Sequence, residues 1–357
     1  MKKYLLIILI ITNSILFADT KSRTALVFYP YAMYSNETSF VLGTYLMYIS
    51  RPQNLEMHIP PTSLIFNGTY SLKKQTVLTV QPELQMMRGK YSISFPTTYK
   101  NWPSSFYGIG NNTKEDSKEK YTMQEIEFQS SFKIRFSKKW AIDLFYEMDD
   151  YKTLKTETTG ELKNHSIAGS ENCLISGLGF SIIRDTRDNT FYSTSGGYYK
   201  FGNIFFEDFL GSDYSFSQHS IDFRRFFPIA LGHAFAFQTM FTYTKDEAPF
   251  RKLSDLGNKM RGYDSNRFID NHRLIVRSEY RLFPWETRLQ NRVGLAFFIE
   301  TGQVSQNLDA FRFTELKCSG GAGLRFMLLP NEKLTLRIDY AIGNNSSDLI
   351  LTSQEAF

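Results

Sequence analysis

The sequence predicts an all-β fold: a closed, 16-stranded antiparallel transmembrane β-barrel with a long inward-folded loop between strands 11 and 12. Three observations predict it. The first is alternation. Sixteen strand-like runs follow one another along the chain, the clearest of them switching between apolar and polar residues with period two, and an even count is what a single-chain barrel of the outer-membrane type requires. The second is composition. Aromatic residues make up 16%, with 32 Phe and 21 Tyr, yet the mean hydropathy is −0.30. A helical membrane protein is not polar on average, whereas barrel strands alternate lipid-facing and lumen-facing residues. The third is the spacing of the loops. Long polar segments at 108–121, 157–172, 249–272 and 305–318 follow odd-numbered runs, and short turns at 137–139, 228–232 and 330–333 follow even-numbered ones. Long connections on one side and short ones on the other fit a barrel with both termini in the periplasm. The longish turn at 52–61 is the exception.

The chain begins with Lys2 and Lys3, an apolar stretch over 4–17, and Ala18 before Asp19. Residues 1–18 are therefore expected to be a secretory signal peptide and 19–357 the barrel, although Leu16 is larger than the usual residue at its position; a retained anchor is the other reading. No other apolar run approaches the ~18 residues of a spanning helix. Cleavage would lower the net charge from +5 by the two lysines. That mild excess, with no basic stripe, gives no case for nucleic acid as a partner.

The first runs cover 25–34, 40–49, 64–72 and 77–87. The fifth, 91–107, is expected to be interrupted by Pro96 and Pro103. In the sixth, Ile126, Phe128, Phe132, Ile134 and Phe136 share one parity and Glu125, Glu127, Gln129, Lys133 and Arg135 the other. A sandwich would turn the apolar set toward a core; a barrel would turn it toward lipid. Periodicity alone does not separate the two, and the leader, the strand count and the aromatic terminus favour the barrel. In the seventh, Ile142, Leu144, Tyr146 and Met148 oppose Asp143, Glu147 and Asp149. The eighth covers 178–182, the ninth 198–209, the tenth ends at Phe227, and the eleventh covers 234–243. The twelfth and thirteenth cover 274–283 and 292–304. The last three cover 320–329, 334–342 and 348–357, with Arg325, Arg337 and Asp339 on the inner parity.

The long loop before the twelfth run carries Met260-Arg261-Gly262-Tyr263. Glu279 and Glu300 lie on the next two runs, at positions that alternation turns away from their apolar neighbours. A loop arginine and two inward carboxylates suggest a loop folded into a cavity and held by charge-assisted pairs; an ordinary solvated arginine is the alternative. The tetrapeptide resembles the Val-Arg-Gly-Phe/Tyr motif in loop six of the BamA/TamA-type outer-membrane assembly superfamily, the bacterial surface antigen family. Phe298-Ile299-Glu300-Thr301-Gly302 is similar to that family's aromatic-x-Asp-x-Gly motif, with Glu in place of Asp. Further matches are Tyr107 to Thr113, Arg184 to Asn189, and Tyr34-Ser35-Asn36-Glu37-Thr38, all in the family's order.

The resemblance implies a bacterial outer-membrane location and a role in protein insertion or translocation. Arg261, Gly262, Tyr263, Glu279, Glu300 and Gly302 would form the loop-anchoring motif. Leu349, Leu351 and Phe357 would belong to the barrel seam and the C-terminal signal, with Glu355 where a generic signal carries an apolar residue. The implied partners are outer-membrane lipid, unfolded outer-membrane or exported polypeptides, and a separate periplasmic protein. Members normally carry POTRA modules before the barrel, and this chain is expected to correspond to the barrel alone. A surface-exposed structural barrel or narrow passive pore is the alternative function.

No catalytic constellation emerges. The five histidines, His58, His165, His219, His233 and His272, are scattered without metal-ligand spacing. An enzyme, a cofactor and a metal are not expected. Cys173 and Cys318 match no metal or redox motif, and a disulfide or two free thiols are equal alternatives.

Overall fold

A computed structural model describes residues 6–8, 15–19, 23–35, 39–52, 54–283, 292–344 and 346–357. Lys2, Lys3, Asn36, Glu37 and Thr38, which figure in the expectations above, lie outside the described residues. Among the described residues, nineteen strands form one large antiparallel sheet. They begin with β1 (Leu6–Ile8), β2 (Ile15–Asp19), β3 (Thr24–Ser35), β4 (Ser39–Ser50), β5 (Thr62–Ser71) and β6 (Thr76–Met86). Then come β7 (Tyr91–Ser94), β8 (Thr97–Phe106), β9 (Glu119–Arg135), β10 (Trp140–Thr156), β11 (Cys173–Asp185) and β12 (Gly196–Phe206). β13 (Phe216–Ala230) and β14 (His233–Lys245) precede a separate two-stranded ribbon, β15 (Ser254–Asp255) and β16 (Ile269–Asp270). The sheet resumes with β17 (His272–Leu282), β18 (Val293–Ser305), β19 (Lys317–Leu329), β20 (Leu334–Gly343) and β21 (Ser346–Ser353). Among the described residues, no helix is long and apolar enough to cross a membrane.

From β3 to β6, from β9 to β14 and from β17 to β21 each strand pairs with the next, and β14 pairs with β17 across the ribbon. Two causes raise the strand number from the expected sixteen to nineteen. The fifth run splits at Phe95-Pro96 into β7 and β8, which share the same partners, β6 and β9. The N-terminal segment adds β1 and β2, both paired with β3. They occupy the edge of β3 on which barrel closure would place β21.

Only one of the two prolines breaks the fifth run. Pro103 stays inside β8, opposite Thr122 of β9. The pairing of β6 with β8 ends at Asn101, so no partner on that side requires an N–H from residue 103. The eighth run is longer than expected because Cys173 to Ser176 pair with Tyr151 to Met148 of β10, a tertiary constraint that weak local alternation does not reveal. The last run is shorter. It stops at Ser353, and Gln354 turns the chain with φ 68°.

The burial pattern separates barrel from sandwich. Leu144 is 51% exposed and Phe136 59%, while Asp143, Asp149 and Glu125 are buried. Apolar side chains face outward and charged ones inward along the same strands, the reverse of a water-soluble protein and the arrangement of a lipid-facing wall around a polar interior. Inside, an apolar cluster gathers Tyr121, Met123, Tyr151, Ile175, Phe206 and Phe250. A second joins Ala25, Val27 and Tyr29 of β3 to Leu334 and Leu336 of β20, with Leu351 of β21 packed against it.

Candidate functional site: a lumenal arginine–carboxylate network

The inner faces of four neighbouring strands supply the site. Arg277, Glu279 and Arg281 share one parity of β17; Glu300 lies on β18, Arg325 on β19, and Arg337 and Asp339 on β20. All are buried except Arg337, which is half-buried. The loop between β14 and β17 lowers Arg261 into this patch. Its Nε donates to Glu300 Oε1 at 2.7 Å, and its backbone N–H to Glu300 Oε2 at 2.7 Å. Its Nη1 donates to Glu279 Oε2 at 2.9 Å and Asp339 Oδ2 at 2.6 Å. The guanidinium lies 3.4 Å from the centroid of the Phe298 ring, adding a cation–π contact in a desolvated place. Burial opposes the charge on Arg261, but Glu279, Glu300 and Asp339 outweigh it and hold the side chain more firmly protonated than a free arginine.

The rest of the network extends toward the C-terminus. Asp339 is its hub, accepting also from Arg325 Nη1 at 2.5 Å and Arg337 Nη1 at 2.7 Å. Arg281 Nε donates to Glu279 Oε1 at 2.7 Å. Glu355 accepts from Arg325 Nε at 2.8 Å and Thr335 Oγ1 at 2.8 Å. This pull draws residues 354–357 inward. The Phe357 carbonyl oxygen accepts from Arg281 Nη2 at 2.9 Å, and its ring packs against Phe226 and Ala236.

The motif residues around Arg261 have definite jobs. Gly262 has φ +89°, and a Cβ there would lie 3.0 Å from the Gly343 nitrogen. Only glycine takes that backbone while lying against β20. Its carbonyl accepts from Ser346 Oγ. A Cβ on Gly302 would meet Leu256 Cδ1 at 2.6 Å, so this position leaves room for the loop's own apolar cluster of Leu256, Met260, Tyr263 and Phe268. Tyr263 Oη donates to the Cys318 carbonyl at 2.7 Å and accepts from the Asn344 N–H at 3.3 Å. Tyr263→Phe is expected to lower stability by about 1 kcal/mol without freeing the loop. A thermal unfolding midpoint read together with loop proteolysis checks this, and a freed loop would contradict it.

The six expected anchoring residues therefore come together. The three residues expected at a seam part company: Leu351 packs against the cluster that includes Val27 and Tyr29 of β3, Leu349 lies half-buried on β21 opposite Tyr340, and Phe357 leaves the strand for the interior. Sequence reasoning placed Arg325, Arg337 and Asp339 on the inner parity but did not join them to Arg261. It also missed the loop's other root. Arg251 pairs with Glu125 of β9, and Lys252 with Glu147 and Asp149 of β10. The signal was present in those inner-parity carboxylates, but alternation gives a face and no distance. A polar cavity of about 450 Å³, lined by Lys100, Trp102, Glu125, Arg251 and Asn258 among others, remains beside that root.

Two further motifs hold connections in place. Asn111 Nδ2 donates to the Glu315 carbonyl at 2.9 Å, and Thr113 Oγ1 to that of Arg267 at 3.0 Å, tying the 107–118 segment to its neighbours. In the connection from β11 to β12, Asp188 accepts from the N–H groups of Thr194 and Ser195 at 2.8 and 3.0 Å. Asn189 Nδ2 reaches the Glu332 carbonyl at 3.2 Å, so this connection crosses to the turn between β19 and β20. Burial works against the Asp188 charge, but the bonds from Thr194 and Ser195 and the nearby Lys333 hold its carboxyl below the usual range. A depressed carboxyl contributes stability above its unfolded value, near pH 4, and loses it as pH falls through the folded value. Proteolytic nicking within 186–195 is expected to rise below about pH 4, and Asp188→Asn should nick more readily at neutral pH. Nicking that is unchanged by acid and by the substitution would contradict this.

Cys173 and Cys318 are both free, one buried and one exposed. Among the described residues, no group of three His, Cys, Asp or Glu side chains is placed to hold a metal ion.

Residues 64–351 match the Omp85 superfamily domain. The chain belongs to the Omp85 superfamily. Two solved structures share the fold. BamA from Haemophilus ducreyi lacking POTRA domains 1-3 aligns with TM-score 0.57 at 14% identity, over 93% of this chain and 69% of that one. CdiB from Acinetobacter baumannii aligns with TM-score 0.56 at 10% identity, over 96% of this chain and 62% of that one, so this chain spans less than two thirds of CdiB. No curated protein matches. In this Omp85 chain the anchored loop lies on the inner wall of β17 to β20, next to the terminal strand β21.

Proposed function

We propose that this Omp85 chain is a closed, sixteen-stranded barrel of a bacterial outer membrane that acts in inserting or translocating other polypeptides there. The observation that carries the reading is the anchored loop. Arg261 binds the strands leading to β21, so the loop and the last strands move as one body beside the seam. Closure is supported by side chains at the two sheet ends: Leu351 packs with the β3 cluster, and Ser353 Oγ donates to Tyr45 Oη at 3.0 Å. The edge of β3 that closure requires is paired with β1 and β2. Both fall largely within the proposed leader, and its removal would release that edge to β21. Chain edges left unpaired in lipid cost several kcal/mol per group, so the released edge would close. N-terminal sequencing of the membrane-extracted protein tests the leader; a mature chain that still begins at Met1 would refute it.

The purified protein, reconstituted alone in vesicles, is expected to speed insertion of an unfolded barrel over empty vesicles. Crosslinking β3 to β21 should abolish the effect. A folded, heat-modifiable barrel that gives no acceleration would overturn the insertion reading in favour of a structural barrel or narrow pore.

A further inference from the structure

We infer that the outer wall of the barrel carries an acyl-hydrolase site, Ser217–His219–Asn203, that cleaves ester bonds of membrane lipids. The lipid substrate rests on the membrane location proposed above; the geometry of the three side chains does not. Asn203 of β12 stands directly opposite His219 of β13, and Ser217 lies two residues before His219 on the same face. His219 Nδ1 is 2.5 Å from Asn203 Oδ1, and its Nε2 is 3.4 Å from Ser217 Oγ.

The order of the bonds sets the chemistry. An amide oxygen only accepts, so His219 carries its proton on Nδ1 and leaves Nε2 to accept from the Ser217 hydroxyl. That is the tautomer of a general base, with a serine on one nitrogen and an orienting group on the other. The serine contact is long, as such bonds are before substrate binds. The rings of Tyr243 at 5.7 Å and Phe205 at 6.2 Å flank the imidazole. Lys245 of β14 is exposed and stands opposite Ser217 in register, where its ammonium can meet an oxyanion forming at the serine. Ser217 Oγ attacks the ester carbonyl carbon as its proton passes to His219 Nε2. The bond from that carbon to the glycerol oxygen breaks, and His219 returns the proton to the departing oxygen. Water, activated in the same way, then cleaves the acyl–Ser217 ester and releases the fatty acid. Asn203 is the positioning residue.

The face decides the substrate. Asn203 shares the parity of Phe201 and Phe205 on β12, and Ser217 and His219 that of Ile221 and Phe223 on β13; these four apolar side chains are exposed. The opposite parity of β13 holds Asp222 and Arg224, paired with each other at 3.0 Å. The three polar side chains therefore stand on the lipid-facing wall, where polar groups are costly and mark function. Ser217 is the second residue of β13, so the site lies at the strand end, at the margin of the apolar band. The ester linkages of a bilayer lie at that margin, between headgroups and hydrocarbon. A lipid alongside β12 and β13 brings its ester to Ser217 and lays its chains along Phe201 and Phe223.

The test uses the full, heat-modifiable barrel in detergent, phosphatidylethanolamine in mixed micelles, and a fluorophosphonate that labels activated serines. Release of fatty acid is expected, with the label on the peptide that contains Ser217. Ser217→Ala should lose the label and about 1,000-fold or more of the release. Ser220→Ala, on the inward parity of the same strand, should keep both. Asn203→Ala should lower kcat by about 100-fold with KM unchanged. Unchanged heat-modifiability of the variants keeps folding out of the comparison. A parent that neither releases fatty acid nor takes the label, release that survives Ser217→Ala, or cleavage of a water-soluble p-nitrophenyl ester with no phospholipid cleaved would each overturn the inference. The assay involves no insertion step, so a barrel that cleaves lipid yet inserts nothing would sink only the insertion reading.

Discussion

Arg261→Ala is expected to release the loop between β14 and β17 from the lumen and to destabilise the barrel by about 3–5 kcal/mol. Arg261 is 6% exposed and meets three buried carboxylates. Burying these charges costs desolvation, so the intact network adds little net stability over an apolar equivalent. Removing one partner is different, because carboxylates that have already lost water lose their compensation too. Glu279, Glu300 and Asp339 would keep Arg281, Arg277 at 3.7 Å, and Arg325 with Arg337, but none of these arms holds the loop. Arg261→Lys should recover only part of the loss, since an ammonium lacks the fork that reaches Glu300 from Nε while Nη1 serves the other two. The readouts are the temperature of heat-modifiability and protease cutting within 254–270. A variant that matches the parent in both would contradict the account.

Arg325→Ala should be comparably severe, with a different local signature. Arg325 is fully buried and joins Asp339, Glu355 and Glu279. Its loss is expected to cost about 3–5 kcal/mol and to free the C-terminal residues. Glu355 would keep Thr335 and a distant Arg281 at 3.9 Å, and Phe357 would lose the fixed backbone that presents it to Phe226. Carboxypeptidase should then remove Phe357 from the variant while sparing the parent. Equal resistance would show that Arg325 does not hold the tail. Because Arg261 and Arg325 share Asp339 and Glu279, the double variant should fall short of the sum of the two singles.

Much of this was legible in the sequence, and for identifiable reasons. Strands are legible because period two survives wherever one face meets lipid: Leu144 and Asp143 declare opposite faces without reference to any neighbour. The loop anchor was legible because a tetrapeptide and two carboxylates recur in a family order. Partners across the lumen were not. Asp339 lies on the same inner parity as Arg337, and nothing local says that Arg261, far back in sequence, ends 2.6 Å away. Glu355 was read as a departure from a terminal signal. It is a lumenal ligand of Arg325, and that pairing explains both its charge and the early end of β21. The break at Phe95-Pro96 was legible from proline chemistry. The tolerance of Pro103 was not, because it depends on where the pairing with β6 stops.

The loop is folded inward against β17 to β20 and held by Arg261. Hydrogen exchange over residues 254–270, read against the 157–172 loop, tests it most directly. The Arg261 amide donates to Glu300, and those of Leu256 and Met260 to carbonyls within the loop. Peptides from 254–270 are expected to exchange slowly, as strand peptides do, while 157–172 exchanges fast, and Arg261→Ala is expected to bring the two together. Fast exchange over 254–270 in the unmodified protein would place the loop outside the lumen and contradict the account.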